Sequence, residues 1–121
     1  LVNIGQIFFL SKKLQNENMR HPYVLIKKCY QKDKNNGLNF LACMITSNAK
    51  KATWPYTIPL NPDEGGMIRQ SYILCFNKAI IYENELEKYV GEISESRLQE
   101  VIMVSQNYDK SATDLHPEKL F

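Results

Sequence analysis

The dipeptide Asn36-Gly37, set between two long apolar runs, constrains this chain more than any other feature. Both residues tolerate positive φ, which a tight reversal between two strands requires. Before it lies a β-favouring run from Pro22 to about Gln31, and after it a second from Leu38 to about Thr46. The segment from Pro22 to Thr46 therefore reads as an antiparallel hairpin. Ile4 to Leu10 reads as a first strand. No basic residues precede its apolar ones and no small-residue cleavage site follows, so it is not read as a signal peptide.

Further along, Ser47 to Thr53 forms a loop that carries Lys50 and Lys51. Trp54 to Leu60 reads as another strand, and Pro55 and Pro59 make it an edge or irregular one. Asn61 to Gly66 is a turn cluster. Ile68 to Ile81 supplies one long or two short strands, and Asn84 to Tyr89 a short helical turn. The last element is a helix. Ser96 with Gln99 fits a capping box, with Ser94 as a rival N-cap. Leu98, Val101, Ile102 and Ser105 then form one stripe at helical spacing. Beyond Asn107 the chain is polar, and His116-Pro117 would break a helix. The expected division is a barrel domain over 1–107 and a tail over 108–121 that is loosely ordered or packs on a neighbour.

Together these elements predict a mainly β protein with α: about five to seven antiparallel strands in a small, bent, nearly closed sheet, with one C-terminal α-helix against it. The pattern alone does not separate an SH3-like barrel from an OB-like one.

A length of 121 residues allows one domain. The apolar runs fall far short of the roughly 18 residues that span a bilayer, so no membrane association is expected. Cys29, Cys43 and Cys75 are odd in number, lack Cys-x-x-Cys spacing and sit in apolar stretches. With only His21 and His116 to join them, no metal site and no cofactor are expected. Free cysteines acting as small hydrophobes fit a reducing, cytoplasmic setting. The formal charge of +2 excludes a polybasic binder. The bases crowd the first half, however, and the acids the second. That asymmetry points to an anionic partner for the N-terminal half, or equally to solvated strand ends.

Four stretches, taken in order, resemble the MazF/PemK toxin family. Ile4-Gly5-Gln6-Ile7-Phe8-Phe9 is similar to the family's opening strand. Arg20-His21-Pro22-Tyr23-Val24-Leu25-Ile26 is similar to its Arg-Pro strand. Ala42-Cys43-Met44-Ile45-Thr46-Ser47-Asn48 is similar to its Thr-Ser strand end. Val90-Gly91-Glu92-Ile93-Ser94, with Leu98 to Val101, is similar to the lead-in to its last helix. The resemblance covers residues 4 to about 104. It implies an SH3-like barrel and a homodimeric, metal-independent endoribonuclease toxin that cuts single-stranded RNA, often mRNA, at short sequences. It also implies a cognate antitoxin whose disordered C-terminal part covers the RNA groove.

Cutting RNA without a metal uses the 2′-OH against the adjacent phosphate. The site needs a proton acceptor, a proton donor for the leaving 5′-oxygen, and donors for the phosphorane charge. The resemblance places Thr46 in such a role, with Ser47 beside it. His21 stands where the family carries arginine, and an imidazole suits proton transfer near neutrality. Arg20 sits one position earlier. Adjacent strand residues point to opposite faces, so the two share one phosphate only if the strand begins irregularly. Lys50, Lys51, Trp54, Arg69, Lys12 and Lys13 are candidate RNA contacts, with Trp54 able to stack a base or to plug the core. Leu74 and Phe76 stand where some members carry acid–base residues, and Gln70 replaces a carboxylate. Those departures favour a non-catalytic module binding RNA or an antitoxin-type peptide; a third reading, an SH3-like protein–protein adaptor, has only the fold to support it.

Overall fold

The computed structural model describes residues 1–11, 20–33 and 37–115. The loop bearing Lys12 and Lys13, Asn36 of the hairpin turn, and 116–121 lie outside the described residues. Six strands form one antiparallel sheet: β1 (Gln6–Leu10), β2 (Pro22–Asp33), β3 (Gly37–Thr46), β4 (Thr57–Leu60), β5 (Ser71–Tyr82) and β6 (Leu86–Glu92), in the order β4-β5-β3-β2-β1-β6. One helix, α1 (Glu95–Leu115), follows.

The hairpin expected from Asn36-Gly37 is the centre of the sheet. β2 pairs with β3 from Tyr23↔Met44 to Asp33↔Gly37, and Gly37 takes φ 81°. Alternation along these strands builds two cores. Val24, Ile26, Cys43 and Ile45 join Ile7, Leu60 and Ile73 on one face, where Leu98 and Val101 of α1 cover them. Tyr23, Leu25, Phe40 and Ala42 join Leu10 and Ile81 on the other. The thiols of Cys43 and Cys75 are buried, and desolvation pushes both up to about 12. They stay protonated at neutral pH and pack as small hydrophobes.

Two elements are shorter or longer than the sequence implies. The strand expected from Trp54 begins only at Thr57, because Pro55 and a left-handed Tyr56 (φ 59°) interrupt it. It is an edge strand, and there Pro59 opposite Tyr72 is tolerated. The region from Ile68 to Ile81 resolves into one long strand with a break in register. Cys43 faces Lys78 while Met44 faces Leu74, so Cys75, Phe76 and Asn77 bulge from β5. Such a bulge bends the strand and re-aims its side chains.

Three further expectations are corrected. The segment Asn84–Tyr89 is not a helical turn. Only Glu83–Glu85 turns, and β6 begins at Leu86. Ser94 caps α1 rather than Ser96, its Oγ accepting from the Arg97 N–H at 3.2 Å. The helix also runs past Asn107 to Leu115. Tyr108 continues the buried stripe against Tyr56 and Phe76, and Asp109 pairs with Lys78.

The sheet is curled rather than hydrogen-bonded shut. A short turn, Glu64–Gly66, lies against β6. A Cβ on Gly66 would run into the Val90 carbonyl, and one on Gly91 into that of Gly65. The Arg97 side chain clamps this junction to α1. Its Nε donates to Glu64 Oε2 at 2.5 Å and its Nη2 to Oε1 at 3.0 Å, while Nη1 reaches Glu100. The Arg97 hydrogen bonds hold the Glu64 carboxyl below its ordinary range.

Two predictions follow from this junction. A lowered folded pKa stabilises the fold above the ordinary carboxylate range, and that stability is lost as pH falls through the folded value. Glu64→Gln should therefore cost about 1 kcal/mol at about pH 7. Urea denaturation should show the gap to wild type closing under acid conditions. Gly91→Ala should cost about 2–3 kcal/mol by overpacking against backbone, read as a lowered urea midpoint. A midpoint equal to wild type would show that the contact is not tight.

Candidate nucleic-acid interface

A groove of about 1020 Å³ opens beside the β3–β5 strand ends. Phe9, Pro22, Met44, Leu74 and Phe76 line its apolar parts. Its charged lining consists of Arg20, Lys51, Arg69 and Lys88, and no carboxylate is among the described lining residues. A concave surface of one charge sign concentrates ions of the other.

The sequence candidates His21, Thr46, Arg20, Ser47, Lys51, Trp54 and Arg69 come together in this groove from segments far apart in the chain. Arg20 and His21 both reach it because strand pairing begins only at Pro22, opposite Phe9. The alternation that would send them to opposite faces does not yet apply. Thr46 ends β3 and is almost buried, with its Oγ1 accepting from the Asn48 N–H at 3.2 Å. That bond uses an acceptor position of the hydroxyl, whose own proton can still be donated. Ser47 is exposed on the rim.

Lys50 does not line the groove. It shares the turn Ala49–Lys51, where successive side chains diverge by about 120°. Only Lys51 therefore turns inward, placing its ammonium 3.2 Å from the Trp54 ring centroid. Trp54 is not a core plug: it is 45% exposed and stacks on Phe76. Lys27 and Lys28 are solvated on β2, as the bland reading of the basic half expects. Gln70 bridges backbone, with Nε2 donating to Leu60 O and Ser71 O.

Arg20 is committed. Its Nη2 donates to Leu10 O and to Glu87 Oε1, both at 3.0 Å, and its guanidinium lies 5.1 Å from the Phe9 ring centroid. Its Nε is buried and has no partner among the described residues. The Glu87 carboxylate offsets much of the charge Arg20 brings.

Lys88, Tyr89, Asn48 and Asn77 also line the groove and were not read from the sequence. Lys88 and Tyr89 belong to β6, whose sequence predicts a turn up to Tyr89. Their one visible signal was the β-favouring pair Tyr89-Val90. Asn77 reaches the groove through the β5 bulge, where its Nδ2 meets Met44 Sδ at 3.5 Å. Among the described residues, no cluster of three or more His, Cys, Asp or Glu side chains could hold a metal ion. No helix there is long and apolar enough to cross a membrane.

The six-stranded curled sheet with its C-terminal helix, and the basic groove beside Thr46, define a small β protein of the SH3-like class. A family model described as the PemK-like, MazF-like toxin of type II toxin–antitoxin systems matches residues 4–104, and the chain belongs to that family. No curated protein matches the sequence. Two solved structures share the fold at 14% identity. One is described as an endoribonuclease in complex with its cognate antitoxin from a mycobacterial species, with TM-score 0.66, covering 88% of this chain and 93% of that one. The other is a mycobacterial endoribonuclease with TM-score 0.63, covering 88% and 90%.

The pairing of Arg20 with Glu87 generates a prediction. Glu87→Gln should strengthen binding of a short anionic oligonucleotide several-fold, by releasing a cation into the groove. Lys88→Ala should weaken it and reduce the slope of log affinity against log salt by about 0.7. Fluorescence anisotropy across a salt series measures both. A salt slope unchanged in Lys88→Ala would remove Lys88 from the interface.

Proposed function

We propose that this toxin is a cytoplasmic, metal-independent endoribonuclease that cuts single-stranded RNA in this groove. The observation that carries the reading is a cationic groove with no carboxylate among its described lining residues, and with His21 and Thr46 both on its walls. An anionic backbone is the ligand such a lining favours, and an imidazole beside it is a group able to take and give a proton.

In this reading the substrate 2′-OH attacks the adjacent phosphorus. Its proton passes to a base as the new O–P bond forms. The P–O5′ bond then breaks, the 5′-oxygen takes a proton, and a 2′,3′-cyclic phosphate remains. His21 is assigned the proton transfer. The Thr46 and Ser47 hydroxyls, with the Lys51, Arg69 and Lys88 ammonium and guanidinium groups, stabilise charge on the phosphorane. Arg20, held by Leu10 O and Glu87, supplies a fixed charge at the same wall. A homodimer and an antitoxin peptide lying in the same groove complete the proposal. The antitoxin is supported by the solved relative bound to its own antitoxin.

One observation favours the non-catalytic alternative. Leu74 and Phe76 place apolar side chains on the groove wall, where some family members carry acid–base groups. Incubation with a long, mostly single-stranded RNA in excess EDTA separates the readings. Wild type should give discrete cuts, and His21→Ala should slow them by about 10²–10⁴-fold, the range of general acid–base catalysis. Thr46→Ala should slow them by a smaller factor. Intact RNA at every pH, with retained binding, would establish the non-catalytic module. A monomeric mass in light scattering at micromolar concentration would refute the dimer.

A further inference from the structure

The aromatic wall of the groove continues beyond its rim into the helix. Trp54 stacks on Phe76 with centroids 5.9 Å apart and planes 30° apart. Phe76 meets Tyr108 at 6.1 Å, and Tyr108 meets Tyr56 edge-on at 5.3 Å. Trp54 and Phe76 line the groove, whereas Tyr56 and Tyr108 stand behind them. The row joins the groove to α1.

The far end of this row is locked. Tyr108 falls on the stripe of Leu98, Val101 and Ser105, so the side of the helix that covers the core also carries it. The Lys78 ammonium donates to Ser105 Oγ at 2.8 Å and to Asp109 Oδ1 at 2.5 Å, and its side chain is 13% exposed. These bonds fix the helix in both height and rotation where Tyr108 reaches Phe76. Beyond Tyr108, the row ends on a residue of uncommon backbone conformation. Tyr56 keeps its positive φ while its carbonyl accepts from the Cys75 N–H at 3.0 Å and its ring rests on Tyr108. An uncommon conformation of this kind persists where the surroundings over-determine it. The family match ends at residue 104, so Tyr108 and Asp109 lie beyond it.

The exposed end is the working one. Trp54 is 45% exposed in a groove of cations, and the Lys51 ammonium covers its ring. We propose that Trp54 and Lys51 form a nucleotide subsite in the groove of His21 and Thr46, and that Tyr108 is the positioning residue that fixes it. One unpaired base stacks on the Trp54 ring. The displaced ammonium moves to the phosphate of the same nucleotide, so it exchanges one partner for another. A purine, with the larger π-face, stacks more strongly than a pyrimidine, and the subsite thereby biases which sequence is held. This inference rests on the single-stranded RNA reading above and adds the subsite and its support.

Trp54 is the chain's single tryptophan, so its emission reports on the subsite alone. The test uses the full chain and short 2′-O-methyl RNA oligonucleotides, which bind without being cut because the nucleophilic hydroxyl is blocked. Binding to wild type should change Trp54 emission. Tyr108→Leu should bind about tenfold more weakly, the size of one stacking contact, and lose the emission response. Tyr108→Phe, which keeps the ring, should restore both. Should Tyr108→Leu fail to fold by circular dichroism, Asp109→Ala decides instead. It leaves the ring but removes one of the two bonds from Lys78 to the helix, and should weaken binding in the same sense. RNA binding with unchanged Trp54 emission overturns the subsite. Affinity and emission equal to wild type in Tyr108→Leu, or in its substitute, overturn the positioning role. A wild type without RNA affinity sinks the functional reading and this inference together, which separates that failure from loss of the stack alone.

Discussion

The close approach of the Glu64–Gly66 turn to β6 is the constraint on which the rest of the structure depends. A six-stranded antiparallel sheet of this length has two edges, β4 and β6, that would otherwise stand apart. The turn leaving β4 touches β6 because Gly66 and Gly91 present no Cβ where backbone meets backbone. Arg97 then ties the same turn to the first turn of α1 through Glu64. Curling brings Arg69, which follows the turn, into the groove that Lys88 and Tyr89 of β6 also line. The groove is therefore a product of the sheet's curl and not of any one loop.

Much of this could be seen in the residues beforehand, and the reasons are local. The β2–β3 hairpin, the edge position of the Pro59 strand and the stripe of α1 each depend on a short-range rule: a turn dipeptide, a missing amide donor, a helical period. What stayed hidden depends on contacts between distant segments. β6 is an edge strand with exposed Glu87, Lys88 and Tyr89, so it lacks the alternation that marks a half-buried strand. Its pairing with β1, not its own pattern, makes it a strand. The helix beyond Asn107 has few apolar residues, and it is held by Tyr108 on Phe76 and Asp109 on Lys78, partners some thirty positions away. Phe76 itself reads in the sequence only as an apolar strand residue. The bulge at Cys75 to Asn77 instead turns it into a groove wall, and bulges are invisible to periodicity.

The site divides its charge in a way that the residue types alone do not show. Arg20 and His21 are neighbours, and both reach the groove, yet their situations differ. Arg20 gives two hydrogen bonds to Leu10 O and Glu87 and lies over Phe9, so its position is fixed and its charge partly offset. A guanidinium does not exchange protons in the range where proteins work. In the proposed reading, proton transfer at this wall therefore falls to the His21 imidazole. The fixed charge therefore sits on Arg20, and the imidazole of His21 stands beside it at the strand mouth. In the proposed reading, fixed charge and proton transfer are separated between adjacent residues.

That separation has a structural condition. Both side chains enter the groove only because residues 20 and 21 precede the first paired position, Pro22 opposite Phe9. Had pairing begun one or two residues earlier, the pleat would have sent one of them to the opposite face. Proline at position 22 has no amide donor to offer the ladder and fixes φ, which suits the first position of a strand. It also disfavours helical backbone at His21. The Arg20-His21-Pro22 sequence is therefore a geometric device as much as a chemical one. The proline marks where regular pairing begins, and the two preceding side chains stay free of its alternation. A resemblance in this segment carries weight because the order of its residues, and not only their types, decides which of them face the groove.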